Sequence, residues 1–194
     1  AKQVRTKTDI GSNPVSFMFT SITLIKKIFD NISSKKALVV GSGYMIQLAI
    51  KYLQSNNVRD ITLTNRNFDK GSKIAKDNGC NYSKLQYLPN IIASHDIIIS
   101  CTSSTIPIIG KGMMESSINN INAKPFVIID LGVPRDVEPE ISDLENVYLY
   151  SIDDLGKVIK NNYKIREQAV AEAEKIIEYK IKDFKIWLDE NHSD

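Results

Sequence analysis

The sequence predicts an α/β fold: a doubly wound, mainly parallel sheet with an N-terminal helix and a long C-terminal helix. Three observations carry that expectation. Short apolar runs alternate with longer segments of helical spacing, the order of a parallel sheet covered on both faces. The runs in KKALVV, SHDIIISCT and PFVIIDLG are continuous in Ile, Val and Leu rather than alternating, as strands buried on both sides must be. The first run closes on Gly41-Ser42-Gly43 and passes directly into the helix-like YMIQLAIKYLQ.

In chain order, a helix is expected from Pro14 to Phe29. Ser12 or Asn13 would be its N-cap and Pro14 its first helical position. The strand KKALVV and the helix YMIQLAIKYLQ follow. DITLTN is the next strand, and FDKGSKIAKDNG a helix stopped by Gly79. SHDIIISCT is a strand, Lys111 to Asn119 a helix, and PFVIIDLG and NVYLYS two further strands. From Ile152 to Glu190 there is no proline, and Gly156 is the only glycine. A helix of that length spans about 60 Å, far more than a domain of this size needs. Ile165, Ala169, Ala173, Ile177, Ile181, Phe184 and Leu188 form one apolar stripe on it. Either the helix folds back on its own domain, or it projects and its stripe needs a partner outside the chain. The expected division is an opening segment and helix over 1–30, a nucleotide-binding domain over 31–151, and a truncated connecting helix over 152–194.

Apolar residues at 42% and charged residues at 25% are in the globular range. A net charge of +2 does not by itself call for a nucleic-acid partner. Cys80 and Cys101 are too few for a disulfide framework, so a reducing, cytoplasmic setting is expected. No apolar run approaches the roughly 20 residues that span a bilayer, and the polar opening AKQVRTKTD is not what is expected of a signal peptide. The chain begins with Ala1 rather than Met, as expected of a piece of something longer.

Chemistry concentrates where strands end. At the Gly41-Ser42-Gly43-Tyr44-Met45-Ile46 junction, Gly41 permits a tight turn, and Gly43 lets backbone approach a pyrophosphate set on the helix N-terminus. This is the dinucleotide loop of a Rossmann-type fold, with Ile46 where a third small residue is usual. The second strand ends in Thr64-Asn65-Arg66-Asn67. It lacks the carboxylate that would hold the ribose 2′-hydroxyl of NAD, and Arg66 suits the 2′-phosphate of NADP. Asp69, three residues on, reads as a helix cap. The small hydroxyl residues of Ser100-Cys101-Thr102-Ser103-Ser104, Thr102 and Ser103 above all, should edge the same cleft. Cys101 reads as a small buried thiol, because His95 lies at the other end of its strand. The histidines form no metal cluster with the cysteines. The loop from Asp130 to Asp136 either faces the nicotinamide end of the cleft or is a turn locked by an Arg–Asp pair.

Together these stretches resemble the glutamyl-tRNA reductase family. Val4-Arg5-Thr6-Lys7-Thr8-Asp9-Ile10-Gly11 and Pro14-Val15-Ser16 are similar to the segment between its catalytic and cofactor domains, although an acidic residue is usual at Lys7. Val39-Val40-Gly41-Ser42-Gly43-Tyr44-Met45 resembles its nucleotide loop, with glycine usual at Ile46. Thr64-Asn65-Arg66-Asn67 resembles its NADP-selecting strand end. The stretch from Ile129-Asp130-Leu131-Gly132-Val133-Pro134-Arg135-Asp136 to Glu140 resembles its most distinctive motif. Asn146 to Leu155 resembles its lead into a long helix. The resemblance implies a cofactor domain, with bound NADPH, of an enzyme whose catalytic cysteine takes glutamate from glutamyl-tRNA as a thioester. NADPH then reduces it to glutamate-1-semialdehyde for tetrapyrrole (porphyrin) biosynthesis. That cysteine belongs to a domain ahead of Ala1, so no catalytic residue is assigned and the chain alone should be inactive. The resemblance also implies a homodimer through a further C-terminal domain, and glutamate-1-semialdehyde aminotransferase as partner. The alternatives are a shikimate-dehydrogenase-like NADP oxidoreductase and a non-catalytic NADP-sensing module.

Overall fold

Six parallel strands lie in the order β3-β2-β1-β4-β5-β6. They are β1 (Lys36–Val40), β2 (Asp60–Asn65), β3 (Asn81–Lys84), β4 (Ile97–Ser100), β5 (Phe126–Asp130) and β6 (Val147–Ser151). The helices are α1 (Phe17–Ile28), α2 (Tyr44–Ser55), α3 (Phe68–Asp77), the single turn α4 (Leu88–Ile91), α5 (Lys111–Ile118) and α6 (Ile152–Asn191). This computed structural model describes residues 16–118 and 124–191. The expected cap at Ser12 or Asn13, Pro14, the opening stretch with Lys7, and Asn119 lie outside them.

Apart from Lys36, Ser100 and Asp130 at their ends, the central strands are apolar because successive side chains enter different cores. Ala37 and Val39 of β1, Ile97 and Ile99 of β4, and Val127 and Ile129 of β5 join one core, with Met18, Ile22 and Ile25 of α1 and Ile46, Ala49 and Ile50 of α2. Leu38 and Val40, Ile98, and Phe126 and Ile128 join the other, with Leu88, Met114 and Ile141. A polar residue at either parity would be buried without water.

β3 was not expected from the sequence. Its four residues, Asn-Tyr-Ser-Lys, carry no apolar run, because an edge strand is half open to solvent. Gly79 stops α3 with φ at +63°, and the Cys80 amide reaches back to the Ala75 carbonyl at 2.8 Å.

By compactness residues 17–156 form one unit, and the described residues from 157 onward belong to another. β6 passes into α6 without a loop: the Ser151 amide and hydroxyl donate to Asp154 at 3.1 and 2.6 Å, closing a capping box. α6 runs 40 residues. Of its expected stripe, Ala169 and Ala173 are buried, whereas Ile177, Ile181 and Phe184 are exposed.

Candidate functional site

The strand order reverses between β1 and β4, so the loops leaving their carboxyl ends part and open a crevice. A cleft of about 360 Å³ lies there. Its walls come from the β1 loop (Val40 to Gly43), from the end of β2 and the start of α3 (Asn65, Arg66 and Lys70), and from the β4 loop (Cys101 to Ser104). Leu85 and Ile108 complete the lining.

Gly41 has φ at +123°, and a Cβ there would overlap the carbonyl oxygen of Cys101. Only glycine lets the β1 and β4 loops approach this closely. Gly43 differs: its backbone is extended and a Cβ there would meet nothing. The space in front of Gly43 is open. Gly43 also heads α2, which has no side-chain cap and no acidic residue in its first turn. The positive pole of that helix is therefore unspent.

Seven of the residues singled out by sequence border this one cleft: Gly41, Ser42, Gly43, Asn65, Arg66, Thr102 and Ser103. Tyr44, Met45 and Ile46 do not. Tyr44 is 75% exposed, Met45 packs against the core, and Ile46 is wholly buried within it. Ile46 lies so near Gly41 that a Cβ on that glycine would sit 3.2 Å from its side chain. The space usually kept clear by a third small residue is here filled with hydrocarbon.

At the end of β2, Asn65 shapes the turn, its side-chain amide donating to the Asn67 carbonyl at 3.1 Å. The cap of α3 is Asn67, which accepts the Lys70 amide at 2.9 Å. Asp69, expected as the cap, sits instead in the first turn, where its charge complements the helix dipole. Arg66 is exposed and has no ion-pair partner among the described residues. It also borders an adjoining hollow with Phe68, Tyr82 and Lys84. Ser104, of the hydroxyl run expected at the cleft, borders it too, whereas Lys70, Leu85 and Ile108 were not foreseen. Lys70 had a signal: it stands one helical turn beyond Arg66.

Two buried carboxylates stand behind the β4 loop. Asp136 accepts the Ser100 hydroxyl at 2.8 Å, the Thr102 amide at 2.7 Å, and the Thr102 hydroxyl in a short bond. Asp130 accepts the amides of Gly132, Asp136 and Val137 at 3.0 to 3.2 Å. Burial raises the Asp130 carboxyl above the usual range despite those three amides. Arg135 Nε lies 3.8 Å from Asp130. Asp130 and Asp136 thus tie the turn over 130–136 to the β4 loop, and no residue of that turn is among those lining the 360 Å³ cleft.

Burial, and then the charges of Asp136 and Asp130, push the Cys101 thiol up and away from the thiolate. His95 is buried far from it, between the Ile91 carbonyl at 2.8 Å and the Thr62 hydroxyl at 3.1 Å. Among the described residues no group of His, Cys, Asp and Glu side chains could hold a metal, and no helix is long and apolar enough to cross a membrane.

The family model described as shikimate / quinate 5-dehydrogenase matches residues 23–158. The glutamyl-tRNA reductase of Methylococcus capsulatus is 42% identical over 97% of this chain and 45% of its own length. That of Polaromonas naphthalenivorans is 39% identical over the whole chain and 45% of its own length. The chain thus spans under half the length of these relatives. Among solved structures, the glutamyl-tRNA reductase of Methanopyrus kandleri superposes with a TM-score of 0.86 at 27% identity, over 97% of this chain and 48% of that one. A nucleotide-binding fold of this kind implies a nicotinamide cofactor. The chain belongs to the shikimate / quinate 5-dehydrogenase family, with the sequence and fold of the nucleotide-binding part of a glutamyl-tRNA reductase.

Proposed function

We propose that this chain binds NADPH and supplies its hydride for the reduction of glutamyl-tRNA to glutamate-1-semialdehyde, the reductive step that opens tetrapyrrole biosynthesis. The observation that carries the cofactor choice is the end of β2. Arg66 and Lys70 line the cleft there, and no carboxylate does. A carboxylate would repel a 2′-phosphate; two cations attract it.

The remaining residues fit a dinucleotide. The open space at Gly43 and the uncapped start of α2 suit a pyrophosphate. In this reading the amides of Tyr44, Met45 and Ile46 serve it as backbone only. Gly41 and Ser42 shape the turn, Asn65 holds Arg66 in place, and Thr102 and Ser103 edge the far wall. Bound nicotinamide supplies hydride chemistry that no side chain can. The acyl chemistry needs a thiol that Cys101 does not provide, so it falls to a part of the enzyme outside this chain.

Glutamyl-tRNA as substrate, an aminotransferase that takes over the aldehyde, a homodimer and a cytoplasmic location, where tRNA is charged, belong to this reading of the full-length enzyme. So does the division into an opening segment to residue 30, a cofactor domain over 31–151 and a connecting helix beyond.

The test is titration of the chain with NADPH and NADH, followed by intrinsic fluorescence. NADPH should bind about ten- to a hundred-fold more tightly, as one or two charge-assisted contacts give. Arg66→Ala should remove most of that ratio. Equal affinity of the unaltered chain for both cofactors would sink the assignment to NADPH.

A further inference from the structure

The β4 loop has almost no free hydrogen-bonding groups. The Cys101 amide is spent on the Val40 carbonyl at 3.0 Å, and its thiol points at the Leu131 carbonyl at 3.6 Å. The Thr102 amide and hydroxyl both go to Asp136. The Ser104 amide goes to the Thr102 hydroxyl oxygen at 3.1 Å, and the Ser104 hydroxyl to the Ile106 carbonyl at 2.6 Å. Ser103 is exposed on the cleft, and its amide and hydroxyl have no partner among the described residues.

Thr102 therefore stands at the centre of a chain of contacts that runs away from the cleft. Its hydroxyl donates to Asp136 and accepts from Ser104, so one side chain fixes the loop on either side of Ser103. Asp136 is wholly buried and is itself held from behind, its amide bound by Asp130 at 3.2 Å. Asp130 also fixes the next amide, that of Val137. The β5 loop thus props the β4 loop without reaching the cleft.

We propose that Asp136 is a positioning residue for the cofactor: through Thr102 it holds the β4 loop in the shape that offers Ser103 to acceptor atoms of the dinucleotide. Thr102 then acts on the cofactor through the loop, and Ser103 touches it. The Asp130-to-Asp136 stretch serves binding from the far side of the strand ends. Loss of this hold lets the loop sample other shapes, and binding must then pay the ordering entropy.

The inference rests on the reading of the cleft as a dinucleotide site, and the experiment separates the two. The chain is titrated with NADPH and with NADH at low temperature, where every variant compared is folded by circular dichroism. Thr102→Val removes the hydroxyl but keeps the amide. It should weaken both cofactors by about tenfold, leaving their ratio unchanged, because the loop does not carry the 2′-phosphate contact. Thr102→Ser restores the hydroxyl and should return both affinities to within about twofold. Asp136→Ala should match or exceed the valine variant; if it does not fold, the two Thr102 variants decide. Amide exchange at Ser104 should quicken in Thr102→Val and not in Thr102→Ser. A valine variant that binds both cofactors like the parent overturns the inference, as does one that loses affinity for NADPH alone. No binding by the parent chain overturns the reading of the cleft instead.

Discussion

A Cβ added at Gly43 meets no atom of the chain, whereas one added at Gly41 collides with the neighbouring loop. The two glycines of one motif thus differ: folding requires the first, and the second is free of any steric demand from the chain. Gly43→Val should leave the far-ultraviolet circular dichroism unchanged and remove NADPH binding, since its branched side chain fills the space before α2. Retained binding in that variant would place the cofactor elsewhere. The cleft residues legible in the sequence were those tied to strand ends: Gly41, Ser42, Gly43, Arg66 and the hydroxyl run at Thr102. What was not legible depends on distance in space. The sequence alone does not tell that the Thr102 hydroxyl turns away to Asp136, or that Leu85, from beyond β3, reaches the cleft.

At the scale of elements, Ile46 shows how a departure from a fingerprint is absorbed. Its side chain is wholly buried among the residues of the first core. Ile46→Gly should therefore destabilise the domain, by about 3 kcal/mol or more, through a cavity and a flexible first turn. Urea denaturation measures this. A gain in stability would mean that Ile46 strains the helix against the sheet. His95 locks the segment before β4 to Thr62 of β2. Burial lowers its pKa below the ordinary histidine value. The unfolded chain then takes up the proton first, so stability is lost as pH falls below about 6.5 and levels once folded His95 also protonates. The urea midpoint should fall more between pH 7.5 and 5.5 in the parent than in His95→Gln; equal falls refute the coupling. The strands with two buried faces were read from sequence because both parities are apolar. β3 was not, because an edge strand has no such constraint and is recognised only by its pairing with β2.

For the molecule as a whole, the sheet order places cleft residues from the ends of three strands in one crevice, with no activated nucleophile among the described residues. With saturating NADPH and labelled glutamyl-tRNA, the chain should form neither an acyl-enzyme nor aldehyde. The Cys101 thiol is pushed up by burial and by two nearby carboxylates, the opposite of what a thiolate requires. An acyl-enzyme that disappears in Cys101→Ser would overturn this. The long final helix was legible as a helix because residues 152–190 hold a single glycine and no proline. What covers its stripe was not, since an apolar stripe records the need for a neighbour and not the neighbour itself.

The strand reversal that opens the cleft also dates it. Ala37 of β1 pairs with Ile97 of β4, sixty positions further along the chain. Synthesis at about 5–20 residues per second leaves the glycine loop waiting roughly 3 to 12 seconds for its opposite wall. Over that interval β1 and β2 can associate, but no crevice exists for a dinucleotide to enter. If the cleft is the dinucleotide site, its cofactor cannot guide the first half of the sheet into shape. It can only favour the finished one, by mass action once β4 has docked.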